Sequence, residues 1–328
     1  MKKLFTILVV LCTTLIYGQD SLATEKSKLS LEGSADIYYR RNLSTPSTDV
    51  APATSFANLN GFSLGMFNLK SSYESGKTGF VADLVFGPRG EDAVFLSTGN
   101  SSIVNQLYAY WNVNDKLTLT MGNFNTFLGY EVISPVDNFN YSTSYMFSYG
   151  PFSHSGLKAD FAFSEDFTGM LAVLNSTDET EYSSTNLNTL GAQLGYKNTY
   201  LNAIYGKQDT SLEATFQVDL TAGYDLSEKF YLGVNTTYNE TDGEGFYGVA
   251  LYPQYNFGKL TTGVRAEYFS EFAGSNNVDV IGLTTTLDYV IDNLNLKLEY
   301  RLDKSSQIAF EQKDNLSSIV LAAVYSFN

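Results

Sequence analysis

The residues best placed for chemistry are charged ones spaced two apart. Arg265 and Glu267 alternate with Val264, Ala266 and Tyr268, and Lys297, Glu299 and Arg301 alternate with Leu296, Leu298, Tyr300 and Leu302. Glu32, Asp36 and Arg40 take even positions in an early stretch whose odd positions include Leu29, Leu31, Ala35, Ile37 and Tyr39. Asp219 stands between Val218 and Leu220. Successive side chains of a β-strand point to opposite faces, so each set shares one face of a strand. Opposed charges across a water-filled pore would orient polar solutes and set an ion preference. The plainer reading is a set of wall-stabilising ion pairs, each worth little in water.

Other chemistry is thin. His154 is the one histidine, flanked by Ser153 and Ser155. A base must reach its nucleophile for acyl transfer, but adjacent strand residues point apart, so a structural histidine is expected and no catalytic residue is assigned. Asp178, Glu179 and Glu181 form one acidic patch, and Asp242 and Glu244 another. Neither has the spacing of a defined calcium loop, so a solvated outer face is expected. Gly122, Gly129, Gly150 and Gly156 lack the lysine and the strand-to-helix setting of a phosphate loop. No cofactor and no metal are expected.

The elements that carry these residues keep a two-residue rhythm. From Ala214 to Leu226, Ala214, Phe216, Val218, Leu220, Ala222, Tyr224 and Leu226 alternate with Thr215, Gln217, Asp219, Thr221, Gly223 and Asp225. Strand-like segments of this kind follow one another along nearly the whole chain. Tight connections fall at Glu74–Gly79, Asn114–Lys116, Ser164–Asp166, Lys197-Asn198, Ser227–Lys229, Gly258-Lys259 and Ile291–Asn293. Mostly longer ones fall at Asn42–Leu59, Gly87–Ser102, Asn123–Ser155, Asn175–Leu187, Lys207–Leu212, Asn239–Glu244, Glu271–Asn277 and Asp303–Asn315. Seven turns alternating with eight loops give sixteen strands, the plan of an outer-membrane barrel. The fourteenth, Val278–Val290, is the least regular: apolar positions switch from Val278 and Val280 to Ile281, Leu283 and Leu287, which a bulge would explain.

The expected fold is therefore all-β, a transmembrane antiparallel barrel of about sixteen strands. A soluble sandwich also alternates, but its strands average about five or six residues. The segments here reach the ten or so that cross a membrane at a tilt. Sheets in lipid must close, since lipid offers the backbone no hydrogen bonds. Aromatics are abundant, with 24 Tyr and 23 Phe, and stand near several strand ends (Tyr39, Trp111, Tyr224, Phe230, Tyr289, Tyr300, Phe327), as interfacial girdles do. The basic start Met1-Lys2-Lys3 and the apolar run Leu4–Tyr17 predict a signal peptide over residues 1–18, with cleavage near Gly18–Gln19. A short segment, 19–27, then leads into a barrel over 28–328. The single cysteine, Cys12, falls in that leader, which excludes a disulfide framework from the remainder. Of the 20 basic residues two are Lys2 and Lys3, so the remainder carries 18 against 35 acidic, near −17, which argues against nucleic acid. Turns and both termini are expected at the periplasmic face.

Asn123–Ser155 is the longest connection and the third long one. It is rich in Tyr, Phe, Asn and Ser, with Glu131 and Asp137 its only acids, so an ordered loop is expected. The run Gly122-Asn123-Phe124-Asn125-Thr126-Phe127-Leu128-Gly129-Tyr130-Glu131, the stretch Asp137-Asn138-Phe139-Asn140-Tyr141-Ser142, and Gly150-Pro151-Phe152-Ser153-His154-Ser155-Gly156 resemble the OmpL-like β-barrel porin family of Bacteroidetes-type bacteria. Asp83-Leu84-Val85-Phe86-Gly87-Pro88-Arg89-Gly90 resembles that family's earlier strand-to-loop junction. The resemblance implies an outer-membrane porin for small hydrophilic solutes or ions. By likeness to sixteen-stranded porins, this loop would fold inward, with Tyr130, Glu131, Asp137, Asn138 and Tyr141 setting a constriction; the alternative is an outer cap. The implied partners are outer-membrane lipid and lipopolysaccharide, the barrel-assembly machinery that reads an aromatic-rich last strand, and, by analogy, two further copies in a trimer. A second reading is a structural barrel with a sealed lumen. Small inward-facing residues (Ser30, Ser34, Thr215, Thr221, Gly233, Gly263) favour water over packing. A barrel enzyme is the least favoured reading.

Overall fold

The structure is a computed structural model that describes residues 27–44, 50–52, 54–183, 186, 188–307, 309–310 and 313–328. The expected leader, 1–18, lies outside them. Sixteen strands follow in chain order: β1 (Lys28–Asn42), β2 (Gly61–Ser75), β3 (Thr78–Phe86), β4 (Val104–Asn114), β5 (Leu117–Asn125), β6 (Ser153–Ala162), β7 (Phe167–Leu174), β8 (Thr189–Tyr196), β9 (Thr199–Lys207), β10 (Ala214–Asp225), β11 (Phe230–Thr241), β12 (Glu244–Asn256), β13 (Leu260–Ala273), β14 (Asn276–Ile291), β15 (Leu294–Ser305) and β16 (Asn315–Phe327). Each pairs antiparallel with its sequence neighbours, and β1 pairs with β16 from Gly33↔Phe327 to Asn42↔Ser318, closing the barrel. Closure leaves no strand edge for lipid to meet.

The alternation places the side chains as expected. In β10, Gln217, Asp219 and Thr221 are buried toward the interior, while Phe216 and Tyr224 are exposed outside. Leu31, Ile37, Leu171, Leu283, Leu298 and Leu321 belong to a broad exposed apolar surface. Trp111, Tyr224, Tyr289 and Phe327 stand exposed near its turn end. Such a belt is stable only against hydrocarbon.

Two connections differ from expectation. Asn239–Glu244 and Glu271–Asn277 contain only two-residue turns, Asp242-Gly243 and Gly274-Ser275, because Thr241 pairs with Glu244 and Ala273 with Asn276. Asp242 and Gly243 both take positive φ, 54° and 80°, which the Asp-Gly dipeptide favours in a type I′ hairpin. No bulge interrupts β14, which holds its register against β13 and β15 throughout. Val280 simply faces inward, into an apolar cluster. Register shifts fall instead in the β1–β2 pair, between Ala35 and Ile37, in β3–β4 at Asp83/Leu84 and in β4–β5 at Asn112/Asn114.

Part of the interior is packed. The loop between β5 and β6, residues 126–152, carries a short helix α2 (Tyr145–Tyr149), and the loop between β3 and β4 carries α1 (Pro88–Ala93). Buried apolar clusters join these loops to the inner wall: Tyr145 and Met146 with Phe246, Tyr252, Phe269 and Val280; Phe147 and Ile133 with Phe56, Met66, Val85 and Val94; Tyr141 with Tyr38, Val320, Ala322 and Val324. The face assignment gives a direct expectation. Leu321 is the middle residue of β16 and exposed, so Leu321→Arg should destabilise the barrel in lipid by about 2–4 kcal/mol, read by urea unfolding in vesicles. A cost near zero would contradict the lipid-facing assignment.

Candidate functional site

The 126–152 segment crosses the barrel interior with little regular structure of its own, so most of its backbone groups need partners from elsewhere. The wall charges supply them. Lys297 Nζ donates to the carbonyls of Asn138 and Phe139, each at 3.0 Å. Glu299 accepts from Tyr141 N at 2.8 Å and from the amide and hydroxyl of Ser142. Arg301 donates to Thr143 O at 2.6 Å. Three residues set two apart on β15 thus match successive backbone groups of the loop, donor to carbonyl and carboxylate to N–H. From β13, Arg265 donates to Ser142 O at 2.5 Å, and Glu267 accepts from Tyr145 N and Met146 N at 3.1 and 2.9 Å. The two N–H groups held by Glu267 belong to the first turn of α2, where an orphan donor would otherwise remain.

Around this row, further contacts fix the loop. Glu131 forms a buried ion pair with Arg265 at 2.6 Å, and its other oxygen accepts from Ser144 N. Asp219 accepts from Gly129 N, Asn202 and Asn235. Asp36, at the β1–β2 register shift, accepts the Tyr141 hydroxyl and Met66 N. Burial, reinforced by the Asp36 carboxylate, holds the Tyr141 phenol well above its usual range, so it stays protonated and donates. The Tyr130 ring stacks on Tyr252 at 4.2 Å, and its hydroxyl meets that of Tyr231. Asn138 holds the loop's own Val132 through both backbone groups.

Of the nine charges read as pore-lining, Asp36, Arg40, Asp219, Arg265, Glu267, Lys297, Glu299 and Arg301 are buried, and Glu32 alone stays open, paired with Lys70 at 2.8 Å. They face the interior, where the loop packs on Asp36, Asp219, Arg265, Glu267, Lys297, Glu299 and Arg301, and Lys297 also borders a polar cavity. Of the loop residues, Glu131, Asn138 and Tyr141 are buried, Tyr130 is half-buried and Asp137 is exposed. Two of the small inward residues, Gly233 and Gly263, make room for the loop, while Ser34 borders a polar cavity. A Cβ on Gly263 would fall 2.5 Å from the Phe139 ring, and one on Gly233 would overlap the Tyr130 ring. Thr215, Thr221 and Ser34 are buried.

Arg89 in α1 was not among the predicted residues. It is fully buried, donates to Ile133 O at 2.9 Å and Tyr141 O, and lies over the Phe56 and Tyr141 rings. Its signal was present, since it belongs to the Gly87-Pro88-Arg89-Gly90 junction. Inner-face Val320, Ala322 and Val324, apolar where a wet lumen needs polarity, were a second unused signal.

Two polar cavities open beside the loop, both bordered by Val136 and Asp137. One, of about 460 Å³, follows β16 and β1–β5 and is lined by Glu32, Lys70, Asp83 and Asp292 among others. The other, of about 530 Å³, lies against β11–β15, lined by Tyr231, Gln254, Asp288 and Lys297 among others. Asp292 lies in a tight turn, and Tyr231, Gln254 and Asp288 lie within a few residues of one, so both cavities reach the turn end. The apolar clusters occupy the loop side.

The loop's return is clamped from outside the wall strands. Asp178, between β7 and β8, accepts from Phe152 N and Ser153 N at 2.7 and 2.9 Å. His154 is buried against the Phe127 ring, and its Nε2 pairs with Thr126 Oγ1 at 3.0 Å. The acidic patch is thus not only a solvated face: Asp178 ties two loops together, and Glu181 accepts from Thr98 N.

A closed sixteen-stranded barrel with a long loop folded into its interior defines a porin-type outer-membrane barrel. The chain belongs to the family described as "Putative beta-barrel porin-2, OmpL-like", which matches residues 28–327. Comparison with curated protein sequences returns no match. Among solved structures, it is similar to the outer membrane channel DcaP of Acinetobacter baumannii, with 13% identity and a TM-score of 0.61 over 93% of this chain and 100% of that one. It is also similar to OmpT of Vibrio cholerae, with 10% identity and a TM-score of 0.59 over 94% and 100%. A trimer form of in-vitro folded OmpT gives 11%, 0.61, 92% and 100%. At such identities the likeness is one of fold.

Two expectations follow. Arg265→Met strands Glu131 in the interior and should cost about 3–5 kcal/mol in unfolding free energy, only part of it recovered in Glu131→Leu/Arg265→Met, which still leaves Ser142 O and Ser144 N without these partners; equal losses in single and double variants would contradict the coupling. Burial pushes the Asp178 carboxyl up to about 6, above its unfolded value of about 3.9. The folded state then holds the proton more tightly, so this contribution is complete below about pH 4 and is lost as pH rises through about 6. Asp178→Asn should flatten that part of the stability–pH curve measured in detergent. An unchanged slope would contradict the assignment.

Proposed function

We propose that the protein is a passive outer-membrane channel for small hydrophilic solutes or ions, and that the 126–152 loop sets its throughput. The carrying observation is this loop docked across a closed barrel, with polar cavities on either side of Val136-Asp137 at the turn end. The turn end is periplasmic in this reading, after export by the 1–18 leader. The third-loop motifs support a place among the Bacteroidetes-type members of the family. Wall charges Arg265, Glu267, Lys297, Glu299 and Arg301 act as the loop's anchors, and Tyr130, Glu131, Asn138 and Tyr141 as their counterparts. Of the charges expected to meet solute, Glu32 and Asp137 border the first cavity, and Glu131, Asp137 and Lys297 the second. Lipid and lipopolysaccharide meet the outer wall. A trimer is proposed by analogy alone.

One observation favours a second reading, a sealed interaction barrel: the apolar clusters joining the loops to the wall fill the interior on the loop side. The purified protein in a planar bilayer decides between them, since a channel shows unitary current and a sealed barrel shows none. The loop's part is tested by Gly233→Ala and Gly263→Ala. Each Cβ would press on a loop ring, at a cost of about 1–3 kcal/mol. Displacing the loop should raise unitary conductance. Conductance equal to wild type in both folded variants would contradict a throughput-setting loop.

A further inference from the structure

We propose that the cavity along β16 and β1–β5 makes the channel cation-preferring, with Asp83, Asp137, Glu32 and Asp292 as its specificity-determining residues. The inference rests on the channel reading and names the class of permeant that reading leaves open.

Charge is the first observation. Four carboxylates border this cavity, and Lys70 is its one cation, already paired with Glu32 at 2.8 Å. The opposite cavity is closer to neutral, because Asp288 pairs with Lys297 at 3.0 Å and Glu131 with Arg265. A cleft with low-dielectric walls and one sign of charge focuses its field on whatever enters.

The second observation is independent of net charge and concerns the neutral polar groups. Asp83 is buried and takes the amide N–H groups of Asn68, Asn105 and Gln106, the last two at 2.7 and 3.0 Å. Gln106 Oε1 in turn accepts from Asn125 N at 3.1 Å. Ser34, Asn105 and Asn125 border the same cavity, but Ser34 and Asn105 are only 2% and 3% exposed, and their side-chain oxygens are shut off from it. An anion entering beside Asp83 finds the side-chain amide N–H groups of Asn68, Asn105 and Gln106 turned to that carboxylate. Among the described residues no three His, Cys, Asp or Glu side chains gather to hold a metal ion, so the arrangement passes hydrated cations and does not chelate them.

The test is the reversal potential of the whole protein in a planar bilayer across a KCl gradient, with folding verified by resistance of the barrel to SDS. A cavity potential of a few kT corresponds to a K⁺ over Cl⁻ permeability ratio of about tenfold at low salt, falling as salt shortens the Debye length. Glu32→Gln/Asp137→Asn/Asp292→Asn leaves buried Asp83 and its amides intact and should bring the ratio below about threefold. A wild-type ratio near one, a chloride preference, or a ratio unmoved in the folded triple variant overturns the cation assignment while leaving a channel. No current from the folded wild type overturns the channel reading and this inference with it.

Discussion

The arrangement depends on one constraint: a long irregular loop placed inside a barrel has backbone polar groups that water no longer reaches. Left unpaired, each would cost free energy comparable to a lost hydrogen bond. β15 and β13 answer with side chains of the needed polarity at the needed spacing. Lys297 and Arg301 reach carbonyls, and Glu299 and Glu267 reach N–H groups. The charges are desolvated in turn, and they remain tolerable because each has a charge-assisted partner. Loop and wall are therefore one structure, and neither half is satisfied without the other.

That coupling explains the character of the interior. Glycines on the wall admit loop aromatics, and inner-face valines and alanines of β16 pack on Tyr141. Arg89 reaches from the neighbouring loop to hold Ile133 and Tyr141. The loop side is consequently apolar and filled, while polar cavities survive at the turn end, where the loop tip separates them. A solute crossing the barrel meets selectivity in these cavities and resistance at the loop.

Much of the fold was legible because a lipid-facing wall enforces strict alternation, and strand count follows from counting turns. Asp242-Gly243 and Gly274-Ser275 were read too long because polar residues around them resemble loop sequence, although the Asp-Gly dipeptide carries the hairpin signal. In β14, the inward Val278 and Val280 mimicked a change of face, because the alternation rule assumes a wet interior. The same assumption misread the site. Alternation assigns Arg265, Glu267, Lys297, Glu299 and Arg301 to the inner face, but only their partners decide whether that face meets water. Those partners are backbone groups of a segment more than a hundred residues away, and backbone groups have no sequence signature.

The most direct test of loop docking is native-state hydrogen exchange of the Tyr141, Ser142, Ser144, Tyr145 and Met146 amides in the protein reconstituted in lipid. The account predicts protection of all five comparable to that of the barrel strands, because Glu299, Glu131 and Glu267 hold them inside. Exchange at the rate of an unstructured surface loop would contradict it.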